Sequence, residues 1–544
     1  MRLNAIAKVV EGAVLSGNGN PEISSLCHDS REVREGGLFF AIRGGNVDGH
    51  EYIQEAVKSK VAAVVVDRQG IELEVPTLEV ADSREAMSAI ADAFHGKPSS
   101  SLKIAGVTGT NGKTTTALML CHLLNAAHRN CGLLGTVKYD LGGEDAGVTH
   151  TTPESTELQE HLARMVENGC VAAAIEVSSH GIVLKRTEDV RFDVAIFTNL
   201  TRDHLDFHGD MSAYFQARRG LFEQVAASGE KKKTMAVINS DDASGRKLLN
   251  EFSRGSISVV SYGMGIGSDY MAQDLRQTRE GVEFTLKVGG RQLRAEIPLI
   301  GKFNVYNALA ALAAGVGMGL NLREAVRNLA DFPQVPGRLE SVSDGRAFDV
   351  YVDYAHTPDA LQNALETLRT LEPRRLIVVF GCGGNRDREK RVEMGHVASR
   401  FSNYAIITSD NPRDEAPEDI ISDIESGFKG EHLERIVGRR EAIGLGVSYL
   451  IPGDILLIAG KGHEDYQEIA GKREKFDDRE VARQMLRDRD HVRADMVREQ
   501  REEIEQKKKE REEREAREAR EERGERYQHS RGREWDKPKN WRKN

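Results

Sequence analysis

The stretch Leu102-Lys-Ile-Ala-Gly-Val-Thr-Gly-Thr-Asn-Gly-Lys-Thr-Thr-Thr115 limits what the rest of the chain can become. An apolar run ending at Val107 reads as a strand, a Gly-rich turn follows, and Thr114 onward reads as a helix through Leu118, Leu120, Leu123 and Leu124. Backbone N–H groups of such a turn, together with the positive end of the helix dipole, hold polyphosphate oxygens. Gly109 and Gly112 let the backbone approach, Lys113 reaches the terminal phosphates, and Thr114 offers a hydroxyl to a magnesium ion. The usual four residues between the two glycines are not met, because Gly106 lies one position too early. The strand before and the helix after still favour a nucleotide triphosphate site built from Gly109, Thr110, Asn111, Gly112, Lys113, Thr114 and Thr115.

A chain of 544 residues has room for about three domains of ~150 residues. Its formal net charge of −10 argues against bulk nucleic-acid binding. No run approaches the ~18 apolar residues of a membrane span. The N-terminal octet lacks the apolar segment of a secretion signal. Five scattered cysteines without a C-x-x-C pair indicate neither a disulfide framework nor a zinc site. A cytoplasmic, monomeric enzyme is the expectation.

Residues 1–98 alternate short apolar runs, Leu38-Phe-Phe-Ala-Ile42 and Val61-Ala-Ala-Val-Val-Val66, with helical patterns. Lys97-Pro-Ser-Ser-Ser101 reads as a linker. The block at 99–335 carries the phosphate loop and buried runs at Ala172–Val177, Val194–Thr198 and Met235–Asn239, which predict a parallel sheet covered on both faces. A third α/β block, 336–488, has strand-like runs at Val350–Val352, Leu376–Phe380, Tyr404–Thr408 and Ile455–Ala459. Each ends in a polar or Gly-rich loop, where open α/β sheets place their ligands. From 489 to 544 the pattern collapses into a charge run.

At the strand ends around the phosphate loop lie Glu176, Asp203 and His204. A carboxylate, an imidazole and the Thr114 hydroxyl converging there suit a Mg²⁺-nucleotide site. Gly109-Thr-Asn-Gly-Lys-Thr114, Glu176-Val-Ser-Ser-His180, Asn199-Leu-Thr-Arg-Asp-His204, Gly301-Lys-Phe-Asn-Val-Tyr-Asn307, Pro336-Gly-Arg-Leu-Glu340 and Asp353-Tyr-Ala-His-Thr-Pro358 together resemble the Mur ligase family of peptidoglycan synthesis. The resemblance runs from about Asp29 to about Asp478. It implies a three-domain α/β architecture: a UDP-sugar-binding N-terminal domain, a central P-loop-type parallel sheet, and a Rossmann-like C-terminal domain that binds the amino acid.

Within the family, the motifs are most similar to those of members that add meso-2,6-diaminopimelate to UDP-MurNAc-L-Ala-D-Glu. The chemistry implied is attack of the D-glutamate γ-carboxylate on the γ-phosphate of ATP. The resulting acyl phosphate is displaced by the incoming amine. The protein then has chiefly to position two anions and neutralise their charge. By resemblance Lys113, Glu176 and His204 are catalytic, with Thr114, Glu176 and His204 around magnesium. Asn304 and Asn307 resemble the adenine-binding pair, and Arg338 and Asp353 the nucleotide contacts of the third domain. Alone, the two asparagines would be no more than a helix start after a Gly turn.

His28, Ser30 and the Asp48-Gly-His50 turn match the family's contacts to the UDP-sugar. His150, Thr151, Thr152, Ser178, Leu184 and Arg186 match those to the muramoyl dipeptide. Amino-acid choice is implied to rest on Asp410, Asn411, Pro412 and Arg413, with Arg386, Gly460 and Glu464. A guanidinium fork can hold the second carboxylate of diaminopimelate, which lysine lacks. Glu464 would meet an ammonium.

Two positions depart from the pattern. The family usually carries a lysine, carbamylated to ligate magnesium, where Tyr214-Phe-Gln-Ala-Arg-Arg219 has Arg218; an arginine cannot form that ligand and stays cationic. Leu184 stands where some relatives have a substrate-touching glutamine. Arg218 is the reason to weigh an alternative, a non-catalytic Mur-ligase-like binding scaffold. The tail reads as a solvated charged helix or a disordered segment, turning basic around Trp535 and Trp541, with no nucleic acid required for function.

Overall fold

The computed structural model describes residues 1–44, 47–228, 233–255 and 257–491, with 506, 509–510 and 513–514 beyond them. The reading of the tail as a charged helix or disordered segment therefore lies almost wholly outside the described residues.

Three principal sheets follow one another along the chain. The first has five strands in the order Val14–Ser16, Thr77–Glu79, Ala63–Val66, Leu38–Phe40, Leu26–Cys27, parallel except for the outermost Val14–Ser16. The phosphate-loop strand, Lys103–Thr108, lies in the middle of the second sheet. It pairs in parallel with Ala172–Glu176 on one side and Val194–Phe197 on the other. Period-2 alternation divides these strands between two cores. Ala105, Val107, Ala172 and Ala174 face the cluster built on helices Lys113–Ala126 and Lys302–Gly317. Ile104, Ala173 and Ile175 face the one built on Ser155–Glu167 and Met211–Ala227. Burial on both faces is why these strands are continuous apolar runs. Helix Lys302–Gly317 is buried nearly all round, which its Ala-rich sequence, uncharged after Lys302, permits.

The central sheet is not wholly parallel. Beyond Met235–Asn239 and Ser258–Gly263 it continues into three mutually antiparallel strands, Tyr270–Gln277, Val282–Val288 and Arg291–Ile297, and with Cys131–Leu134, Tyr139–Asp140 and Asp145–Ala146 on the opposite edge the sheet has eleven strands. Only one face of this extension is covered, so Val282, Phe284 and Leu286 point inward and alternate with half-exposed residues. Residues 97–101 also differ from a free linker: Pro98 and Ser99 are buried in a 3-10 turn, and Ser99 accepts the Arg191 backbone N–H at 3.3 Å.

The third sheet orders Glu340–Ser341, Asp349–Asp353, Ile455–Ala459, Leu376–Phe380, Tyr404–Thr408 and Leu433–Ile436, parallel apart from its first strand. This is the Rossmann-like arrangement expected. The C-terminal ends of its strands carry Asp353, Gly460, Gly381 and Asp410.

Candidate active site

The phosphate loop is tied to the end of the neighbouring strand Val194–Phe197. Thr198 Oγ1 donates to the Asn111 carbonyl (2.6 Å), and Asn199 Oδ1 accepts the Asn111 N–H (2.9 Å). Gly109 has φ +143°, and a Cβ there would meet Thr198 Oγ1 at 1.9 Å. Gly112, at φ +87°, caps the helix that opens at Lys113, and its Cβ would meet Asn307 Oδ1 at 2.4 Å. Both glycines are therefore dictated by close approach as well as by dihedral angle.

Lys113 folds back, its Nζ donating to the Gly109 and Thr110 carbonyls (2.9 and 3.0 Å). Burial, with Arg218 adding to it, brings its amine down to about 7. Thr114 Oγ1 donates to Glu176 Oε2 (3.0 Å), and Thr136 binds the same carboxylate through its N–H (2.8 Å) and hydroxyl (3.0 Å). Glu176 is thus a buried acid held by two threonines. Thr136 belongs to this arrangement and had no signal in the sequence.

His204 closes the far side. Its backbone is left-handed, φ 54°, an uncommon conformation outside glycine. Its Nε2 sits 3.3 Å from Asp203 Oδ2 and its ring 4.8 Å from that of His180. Burial brings His204 and His180 each down to about 4, against the pull of Asp203 on His204. Burial favours the neutral form of Asp203, but His204, His356 and Lys113 outweigh it and keep the carboxyl below its usual range.

The third block docks directly on this loop. Arg338 Nη2 reaches Thr114 Oγ1 at 3.4 Å while its guanidinium lies 4.7 Å above the Tyr354 ring. Asn111 Nδ2 donates to Asp359 (3.0 Å), and Arg202 binds Glu389 (2.7 Å). Gly337 and Gly462 meet backbone to backbone: a Cβ on Gly337 would lie 2.1 Å from the His463 nitrogen.

Two cavities flank the junction. One of about 270 Å³ brings together Gly112, Thr114, Thr115, Asn307, Arg338 and Asp353. Burial pushes the Asp353 carboxyl up to about 6. Asn304 is buried beneath this cavity, binding the Ile300 carbonyl (2.8 Å) and accepting from Asn307 (3.0 Å). The other, about 610 Å³, runs from Thr151, His180, Asp203 and His204 to Arg386, Asp410, Asn411, Arg413, Gly460 and Glu464.

In that second cavity Arg413, with φ 53°, donates from Nη1 to the Gly384 carbonyl (2.8 Å), and Arg386 is exposed at the neighbouring strand end. Pro412 is buried behind them. Glu464 does not stand alone. The fully buried Lys461 donates to Glu464 Oε2 (3.1 Å) and Asn411 Oδ1 (3.0 Å), and Asn411 Nδ2 donates to Glu464 (2.9 Å). Burial raises the Glu464 carboxyl, with Lys461 opposing.

Toward the first block, Thr152 Oγ1 donates to the Glu176 carbonyl (2.8 Å) and pairs with Ser178 Oγ (3.0 Å), while Ser178 caps the helix Ser179–Val183. Arg186 donates to the Thr152 carbonyl (2.9 Å) and pairs with Glu154 (2.8 Å), which Arg84 also binds (3.1 Å). Leu184 offers only its carbonyl, to Arg84 (3.4 Å). His28 Nδ1 meets Thr156 Oγ1 at 3.3 Å, Ser30 donates to Glu55 (3.2 Å), and His150 is exposed.

Comparisons with known proteins agree with this architecture. Residues 22–95 match the Mur ligase family catalytic domain, 107–315 the Mur ligase middle domain and 337–462 the Mur ligase glutamate ligase domain. The UDP-N-acetylmuramoyl-L-alanyl-D-glutamate–2,6-diaminopimelate ligase of Geobacillus kaustophilus is 43% identical over 493 residues, 90% of this chain and 100% of that protein. The chain belongs to the Mur ligase family. The enzyme of the same name from Geobacter sulfurreducens is 42% identical over 89% of this chain and 98% of its own. A solved structure of a UDP-N-acetylmuramoyl-L-alanyl-D-glutamate–2,6-diaminopimelate ligase superposes with a TM-score of 0.61 at 33% identity, over 86% of this chain and 95% of that one.

Whether this Mur ligase can hold magnesium is answerable from its donors. Thr114 and Glu176 present hard oxygens side by side at the phosphate loop, which suit one magnesium that phosphate oxygens would complete. The same cannot be said beside His204, where the neighbouring helix supplies the Arg218 guanidinium and no anion. Among the described residues no group of three or more His, Cys, Asp or Glu side chains gathers in a metal-holding arrangement.

Proposed function

We propose that this Mur ligase is an ATP-dependent acid–amino-acid ligase. It joins meso-2,6-diaminopimelate to the D-glutamate γ-carboxylate of UDP-MurNAc-L-Ala-D-Glu in peptidoglycan precursor synthesis, in the cytoplasm and as a monomer. The single observation that carries the reading is the meeting of two strand-end sites across one cleft. Thr151, His180, Asp203 and His204 face it from the central block, and Arg413 with Asn411 and Glu464 from the third.

The division of labour follows the three sheets. Residues 1–98 would take the UDP-sugar through His28 and Ser30, 99–335 the nucleotide, and 336–488 the amino acid. Arg186 and Thr152, locked together and to the Glu176 strand, would hold the dipeptide so that its carboxylate faces the loop. Lys113, freed from the Gly109 and Thr110 carbonyls by a better partner, would neutralise the γ-phosphate. A magnesium held at Thr114 and Glu176 would supply Lewis-acid charge to the same phosphate oxygens. The γ-carboxylate oxygen bonds to phosphorus, ADP leaves, the amine nitrogen then bonds to the acyl carbon, and phosphate departs. Arg338, bridging Thr114 and the Tyr354 ring, ties nucleotide occupancy to the position of the third block and helps exclude water.

Arg413 would hold the distal carboxylate of diaminopimelate. Lys461 sets the orientation of Glu464 for the distal ammonium and restrains its charge until that cation arrives. The loop, the buried acid and the docked third block speak against the scaffold alternative. Purified protein with ATP, magnesium and UDP-MurNAc-L-Ala-D-Glu should release phosphate far faster with diaminopimelate than with L-lysine. Arg413→Ala should erase most of that preference. Equal rates for the two amino acids in the unaltered chain would refute the specificity, and no phosphate release would refute the ligase reading.

A further inference from the structure

Arg218, on helix Met211–Ala227, is 1% exposed, among the least exposed large side chains of the protein. Of its five N–H donors, Nη1 binds Thr108 Oγ1 (2.8 Å) and Nη2 binds the Tyr214 hydroxyl (2.5 Å). Nε is buried without a partner. Its guanidinium lies 4.7 Å from the centre of the Tyr214 ring, and the Tyr214 hydroxyl in turn meets Thr110 Oγ1 of the phosphate loop at 3.2 Å. No carboxylate pairs with it among the described residues.

A buried guanidinium without a counter-charge is expensive, and the cost is recovered only when an anion arrives. The groups facing Arg218 identify where that anion belongs. Its charge is felt by Lys113 and by His180, His204 and His208, holding each toward its neutral form, although burial is the larger cause for all four. These residues ring the end of the phosphate loop. Both of its hydrogen-bonded partners are hydroxyls, one ending the loop strand and one contacting the loop itself. The arginine is therefore fixed against the base of the phosphate loop, with Nε left unpartnered.

We propose that Arg218 binds the transferring phosphoryl group directly, as a built-in cation occupying the place of a second metal ion, so that this chain works with a single magnesium. The proposal rests on the ligase reading above. It removes the need for a carbamate on this helix: the positive charge is covalently part of the protein and bidentate toward phosphate oxygens.

The experiment compares nucleotide binding and metal count in the full chain. For Arg218→Met, binding of a β,γ-non-hydrolysable ATP analogue should weaken at least tenfold, while ADP binding should stay within about twofold, because only the former presents the γ-phosphoryl group. Equal weakening of both nucleotides would make Arg218 a structural support of the loop and overturn the proposal, as would no weakening of either. Titration of the unaltered chain with Mn²⁺ in the presence of the analogue, followed by electron paramagnetic resonance, should saturate at one ion per chain. Two ions would overturn the proposal even if Arg218→Met failed to fold. Arg218→Lys supplied with bicarbonate should gain the second Mn²⁺, and failure to gain it would count against the exchange of cation for metal. If the unaltered chain binds neither nucleotide, it is the ligase reading that fails.

Discussion

Lys113 should take up a proton when nucleotide binds. In the free protein its amine sits near 7, because burial and then the Arg218 charge disfavour the ammonium, against the pull of Glu176 and Asp203. At pH 8 such a group is protonated only about one-tenth of the time, and at pH 7 about half. A triphosphate adds several negative charges at this place and restores the ammonium. Binding should therefore consume about 0.9 proton at pH 8, about 0.5 at pH 7 and about 0.1 at pH 6. The sign follows: affinity is highest below the free-state value and falls as pH rises through it, roughly fivefold between pH 7 and pH 8. Isothermal titration calorimetry reads this directly. With magnesium in excess, the apparent enthalpy at pH 8 plotted against buffer ionisation enthalpy gives the proton count as its slope. His204 and His180, near 4, would need a shift of some four units to contribute there. Lys113→Arg keeps the charge but cannot titrate, so its slope should fall to near zero. A flat plot for the unaltered chain at pH 8, or an undiminished slope in Lys113→Arg, would refute the reasoning.

Two further outcomes concern the third block. Glu415 accepts from both Nη atoms of the buried Arg391 and from the Asn385 N–H, with Arg391 holding its carboxyl down at about 2. The stability this pair contributes is complete above the ordinary value of 4.5 and is lost as pH falls toward 2. Glu415→Gln should cost about 2 kcal/mol at pH 7, below the full cost of breaking a buried pair because Asp423 still binds Arg391, and the difference should shrink in denaturant titrations below pH 4.5. Arg439 and Asp478 pair at 2.6 Å with neither side chain exposed, so Arg439→Met should cost about 3–5 kcal/mol and the added Asp478→Leu should recover most of it.

What could be read from the sequence follows from the kind of burial involved. Strands covered on both faces, such as Ala172–Glu176 and Leu376–Phe380, are continuous apolar runs and stand out. The antiparallel extension is covered on one face only, and its Val282, Phe284 and Leu286 are diluted by Glu283, Thr285 and Lys287, so it passed as part of a parallel block. Gly109, Gly112 and Lys113 were legible because phosphate binding demands them at fixed spacing. Thr136 was not, because a lone threonine carries no spacing, and its contact to Glu176 spans 40 positions. The Arg338–Thr114 contact spans 224 positions and exists only once two sheets dock. His204 and Arg413 stand out in the sequence for their side chains, whereas their left-handed backbones carry no sequence signal.

The seam between Gly337 and Gly462 bears on how this protein can be recombined. The Tyr354 N–H donates to the Gly337 carbonyl at 2.8 Å, and a Cβ on Gly462 would stand 2.7 Å from that of Tyr354. The segment around Gly337 thus belongs, by contact, to the sheet that comes after it and not to the block it leaves. A chimaera that borrows its amino-acid-binding half from a relative keeps both lips of this seam from one parent only when the crossover lies upstream of Pro336. A cut placed downstream of Arg338 joins two backbones that were never shaped against each other, at a place with no side chain to trim.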